Sequence, residues 1–75
     1  MIELSTYYGS EQYDDRKATV LWDDVMKEYY IDMRKEGFSK MLGMSRHSEQ
    51  YAEDYAENFV MGYGEFGRWN ILKYR

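Results

Sequence analysis

The chain has no cysteine and no proline, one histidine, six scattered glycines and no long apolar run. The lack of cysteine removes disulfides, thiolate metal sites and thiol nucleophiles together, and suits a reducing compartment. No window approaches the roughly 20 apolar residues that span a bilayer. The start, MIELSTYYG, carries no basic segment followed by an apolar one, so the expectation is an unsecreted, cytoplasmic protein without a membrane partner. The glycines form neither a phosphate-binding loop nor a dinucleotide fingerprint. His47 is the only conventional general base near neutral pH, and Ser45 and Ser48 flank it without a nucleophile elbow. No nucleophile, base and orienting group can be assembled, so the reading is non-enzymatic and calls for no cofactor.

What the chain has in abundance is aromatic surface and acid. Its 75 residues include nine tyrosines, three phenylalanines and two tryptophans. A chain this short forms one domain, here residues 1–75, and buries only about 60% of the surface its unfolded form exposes. Aromatic side chains bury roughly 150 to 250 Å² each and so compensate for a small core. More of them are present than one helix can cover, which leaves some exposed or shared with a partner or a second copy; a structural homodimer is an open possibility. Residues 1–65 hold fourteen acids against seven Lys or Arg, a balance of −7, whereas the basic tail at 66–75 carries Arg68, Lys73 and Arg75, +3. Phosphate contacts from Lys and Arg dominate nucleic-acid affinity, so the acidic body disfavours nucleic acid and suits a protein partner with a basic surface.

Residues 2–8 alternate as a strand, with Ile2, Leu4 and Thr6 on one side and Glu3, Ser5 and Tyr7 on the other. Residues 9–17 are polar and aperiodic and read as a loop, with Asp14-Asp15-Arg16-Lys17 as a solvated turn. ATVLW, 18–22, is β-branched and short, and YYIDMRK, 29–35, alternates as a half-buried strand; the two form a hairpin. Lys35-Glu36-Gly37 supplies the glycine that a tight turn needs, so 38–44 returns as the next strand of a meander.

The strongest local signal follows in HSEQYAEDYAENFVMGYG. Ser48 can cap a helix running to Met61, Glu49 suits its first turn, and Gly62 can end it. At 100° per residue Tyr51, Ala52, Tyr55, Ala56, Phe59 and Val60 share one side, while Glu49, Glu53, Asp54, Glu57 and Asn58 share the other. The expected fold is α+β: a three- to four-stranded antiparallel meander packed on one face by a single amphipathic helix. Beyond Gly64 the period does not decide between a strand and a helical turn.

EYYIDMR, KMLG with Leu42-Gly43, and SEQYAEDYA with Glu49, Ala52 and Tyr55 stand in a familiar order. From residue 28 to 59 the chain resembles the three-stranded-sheet-plus-helix DNA-binding domains of the Apetala-two or ethylene-response-factor type and the similar amino-terminal domains of phage integrases. The resemblance implies that fold, and phosphate contacts from Arg34, Lys40 and Arg46. The chain departs from the pattern in ATVLWDD, which has Trp22 but no arginine and ends in acids. In overall style the sequence also resembles small accessory proteins of tailed bacteriophages, which implies a host cytoplasm as its location.

Glu53 and Glu57 lie one helical turn apart and could share a cation, but two glutamates without further ligands make a solvated acidic face rather than a metal site. Tyr7, Tyr8, Tyr29 and Tyr30 with Trp22 form either an aromatic platform on one sheet face or ordinary cross-strand packing. The tail can bind nucleic acid or an acidic partner, or dock on the acidic helix of its own or a second copy, and self-docking is the expectation because opposite charges within one small chain meet first. Together these features predict a non-enzymatic protein-binding module, in phage terms an accessory or inhibitor. Glu53, Asp54 and Glu57 would supply charge, in a form that can imitate a nucleic-acid backbone, and Trp22 and Tyr30 would supply anchors. The alternative is a small nucleic-acid-binding domain using Arg34, Lys40, Arg68, Lys73 and Arg75.

Overall fold

The computed structural model describes residues 1–62. Four strands, β1 (Ile2–Tyr8), β2 (Lys17–Asp23), β3 (Glu28–Lys35) and β4 (Phe38–Met44), precede one helix, α1 (Glu49–Val60). The strands pair antiparallel in sequence order, β1-β2-β3-β4, and form an open sheet. This is the α+β meander and helix expected from the sequence. No described helix is long and apolar enough to cross a membrane.

Local chemistry sets each turn. Between β2 and β3 the Asp23 carboxylate accepts the N–H groups of Val25 and Met26 at 2.9 and 3.2 Å, and the Lys27 N–H returns to the Asp23 carbonyl at 2.7 Å. An aspartate that bonds its own following backbone replaces the ladder where the chain reverses. Between β3 and β4 the Lys35–Phe38 pair encloses Glu36 and Gly37, and Gly37 takes φ +73°, which glycine adopts without steric penalty. At the start of α1 the Ser48 hydroxyl accepts the Tyr51 N–H at 3.2 Å. At its end the Gly62 N–H bonds the Phe59 carbonyl at 3.0 Å.

The register sorts the sheet into two faces. Ala18 pairs Met33, Val20 pairs Ile31 and Tyr29 pairs Met44, and these residues face α1. Ala52 and Ala56, both fully buried, present no bulk and let the helix lie close on that face. Phe59 and Val60 complete the core. The other face has no described layer over it, and α1 lies mainly over β1, β2 and β3, reaching β4 where Phe59 stacks on Phe38, ring centroids 6.3 Å apart, and at the buried Met44.

Three expectations are corrected, and of the two readings of the five aromatics cross-strand packing is the one found, with Trp22 against Tyr29 at 4.6 Å between ring centroids. In β1 the register shifts between Glu3 and Ser5, so Leu4 is an extra residue. Ile2 falls opposite Trp22 and Thr6 opposite Thr19, and a bulge of this kind reverses the facing of residues on either side of it. The five aromatics share no platform. Tyr7, Trp22 and Tyr29 lie on the α1 side, Tyr8 and Tyr30 on the open side, because neighbours in a strand point to opposite faces. Arg16 is no part of a solvated turn: it is 5% exposed and donates to the Phe59 carbonyl at 2.8 Å. Asn58, placed on the polar side of the helix by its angle, is buried beside Phe59 and Val60.

Candidate functional site

α1 carries Glu49, Glu53, Asp54 and Glu57 and no basic residue. Four-residue spacing stacks Glu49, Glu53 and Glu57 along one flank. That flank stands over β1. Tyr7, which faces α1 from β1, has its phenol pKa raised first by burial, then by the charges of Glu53, Glu57 and Asp54. Glu53 is half-buried, and its carboxyl is held above the usual carboxylate range by desolvation and then by Glu49 one turn earlier. Asp54, further round the helix, accepts a hydrogen bond from the Gln50 amide at 3.2 Å. Among the described residues the ion pairs are Lys27 with Asp24 and Arg34 with Asp32, and neither reaches this flank. Nor do three or more His, Asp or Glu side chains converge as a metal site among the described residues.

The two expected anchors are split. Trp22 sits on the α1 side against Tyr29, ring centroids 4.6 Å apart. Tyr30 opens onto the other face and donates to the Glu28 carboxylate at 2.7 Å, a bond that raises the phenol pKa by stabilising its protonated form. Of the two, Trp22 shares a sheet face with α1.

The cationic residues of the alternative reading are divided in the same way. Arg34 lies on the open face, gripped by Asp32 through two hydrogen bonds of 3.2 Å, which raise its pKa. Lys40, opposite Met33, is exposed on the α1 side of β4. Arg46 is exposed in the loop before α1. Beside Arg34, a depression of about 150 Å³ is lined by Glu3, Lys17, Thr19, Leu21 and Asp32, so acids border it as closely as bases. Arg68, Lys73 and Arg75, with the proposed docking of the tail, lie outside the described residues.

His47 stacks flat on the Tyr51 ring, centroids 3.9 Å apart and planes 9° from parallel, while Ser48 is engaged as the helix cap. A second depression, about 280 Å³, lies at the far end of α1 between the β1–β2 loop and Val60-Met61, away from that histidine. Sequence reasoning missed Arg16, whose guanidinium lies over the rings of Tyr13 and Phe59 at 4.7 and 5.1 Å from their centroids. The one available signal was a cation next to an aromatic-rich loop, which does not specify a helix end 43 residues away.

No protein-family model, curated protein or solved structure matches this chain.

Proposed function

We propose that this chain is a non-enzymatic protein-binding module whose contact surface is the carboxylate flank of α1 and whose partner presents a basic surface. The observation that carries this reading is the row Glu49, Glu53, Glu57 along one flank of α1, which no described cation neutralises. Like charges one turn apart destabilise a helix, so a row of them is best explained by a cationic surface that relieves the repulsion on binding. Imitation of a nucleic-acid backbone, as by a phage-encoded inhibitor of a nucleic-acid-binding protein, is the more specific form of this reading. Direct nucleic-acid binding has less support, because Arg34 is committed to Asp32 and faces away from Lys40.

The test is a pull-down at low and moderate salt with nuclease present, comparing the chain with its Glu53→Lys/Glu57→Lys variant. The expected result is a stoichiometric protein that the variant loses and that salt weakens. Retention of nucleic acid in the absence of nuclease, abolished by Arg34→Ala/Lys40→Ala, would replace this reading with the alternative.

A further inference from the structure

β1 is an edge strand, and no described strand lies beyond it. Its outward backbone groups can be identified. The Gly9 N–H donates to the Arg16 carbonyl at 3.0 Å, extending the β1–β2 ladder by one pair. Counting back with the antiparallel alternation, Tyr7 and Ser5 turn their main-chain groups toward β2, whereas Tyr8 and Thr6 turn theirs outward. The bulge at Leu4 confines the regular edge to Ser5–Tyr8. Ile2 is 55% exposed and Tyr8 70%, so apolar surface borders this edge at both ends.

Charge determines what such an edge can accept. The carboxylates of Glu53 and Glu57 stand beside Tyr7, and β1 itself contains no basic residue. A strand added outside β1 would run under that flank, with every second side chain directed toward it. A second copy of β1 would bring a second acidic flank against the first, which disfavours self-pairing. A strand bearing Lys or Arg at alternate positions answers both the outward main-chain groups of Thr6 and Tyr8 and the carboxylates.

We propose that the β1 edge takes up an extended, Lys- or Arg-bearing segment of a partner protein as a fifth strand, its basic side chains alternating toward Glu53 and Glu57. This rests on the acidic-flank reading above and adds to it the mode of binding, in which main-chain bonds supply affinity and alternate side chains supply specificity.

The experiment uses two synthetic eight-residue peptides of equal charge, one alternating lysine with valine and one alternating lysine with proline, followed by amide NMR on the full chain. The proline peptide keeps the charge but loses half of its backbone donors. The expected result is that the valine peptide binds about tenfold more tightly, the worth of one or two hydrogen bonds, and slows hydrogen exchange at the Thr6 and Tyr8 amides. Thr6→Pro, which removes an outward N–H and leaves the ladder bonds to β2 in place, should erase the preference between the peptides. Because the exchange measurement is made on the unaltered chain, the result stands even if Thr6→Pro unfolds. Equal binding of both peptides, lost in Glu53→Lys/Glu57→Lys and without protection of Thr6 or Tyr8, would overturn the fifth strand and leave the acidic-flank reading intact. Binding of neither peptide, with a pull-down unaffected by Glu53→Lys/Glu57→Lys, would overturn both. Protection of Thr6 and Tyr8 in the free chain together with concentration-dependent dimerisation would make a second copy the occupant and overturn the proposal.

Discussion

The Arg16 guanidinium donates to a carbonyl in the last turn of α1, where the helix dipole is negative and no residue of the helix itself supplies a cation. Its stem and plane also fill the space between Tyr13 and Phe59. Arg16→Ala removes the bond and the packing together and is expected to lower the unfolding free energy by about 2 to 3 kcal/mol in urea denaturation. Arg16→Lys should restore little, because an ammonium cannot stack on both rings. A loss below about 0.5 kcal/mol, the range of ordinary surface changes, would show that Arg16 does not hold the helix end. The sequence concealed this role because a run of two acids and two bases is usually solvated, and only the fold brings Phe59 to it. Glu53 allows a second test. Its folded pKa lies above its unfolded one, so the native state holds the proton more tightly, and the stability this contributes is present below the unfolded pKa and lost as pH rises through the folded one. Glu53→Gln should therefore stabilise the fold at pH 7 and confer no advantage below about pH 4, where the glutamate is already protonated. Urea curves at both pH values check this, and an equal gain at both would assign the effect to packing instead of charge.

At the scale of elements, capping and periodicity were legible and facing was only partly so. Ser48 caps α1 as its position implied, and Ser48→Ala should cost about 1 kcal/mol and reduce far-UV helical signal at elevated temperature. An unchanged midpoint would mean that packing of Ala52, Ala56 and Phe59 alone holds the first turn. The strand limits 2–8 and 38–44 coincide with β1 and β4, because Gly9 and Gly37 punctuate them. Facing failed where a register shift intervenes: no residue type in IELSTYY announces that Leu4 is extra, since a bulge is defined by what the partner strand does. The separation of Trp22 from Tyr30, by contrast, followed from the sequence once the pairing of Trp22 with Tyr29 was known. The acidic flank was legible outright, as helix period alone stacks Glu49, Glu53 and Glu57. Its proximity to β1 was not, because that depends on which strands α1 covers.

For the molecule as a whole, charge and size interact. The fold measures 36 × 28 × 17 Å and the chain carries a net charge of −4. At 0.01 M salt the Debye length is about 30 Å, so every carboxylate acts on nearly every other; at 0.15 M it is about 8 Å, and only neighbours such as Glu49 and Glu53 still interact. Among the described residues the attractive pairs that salt would also weaken are exposed or partly so: the Lys27 and Asp24 side chains are 68% and 74% accessible, and Arg34 and Asp32 are 62% and 22% accessible. Such pairs contribute little, roughly 0 to 1 kcal/mol each. Repulsion should therefore dominate, and raising sodium chloride from 0.01 to 0.15 M is expected to raise Tm by about 4 °C, corresponding to roughly 1 kcal/mol for a domain of this size. Glu53→Gln/Glu57→Gln should start from a higher Tm and respond less, because the same repulsion is already gone. Calorimetry of both chains at the two salt concentrations measures the difference. A Tm that falls with salt in the unaltered chain would mean that attraction outweighs repulsion, and the flank would then have no uncompensated charge for a basic partner to neutralise.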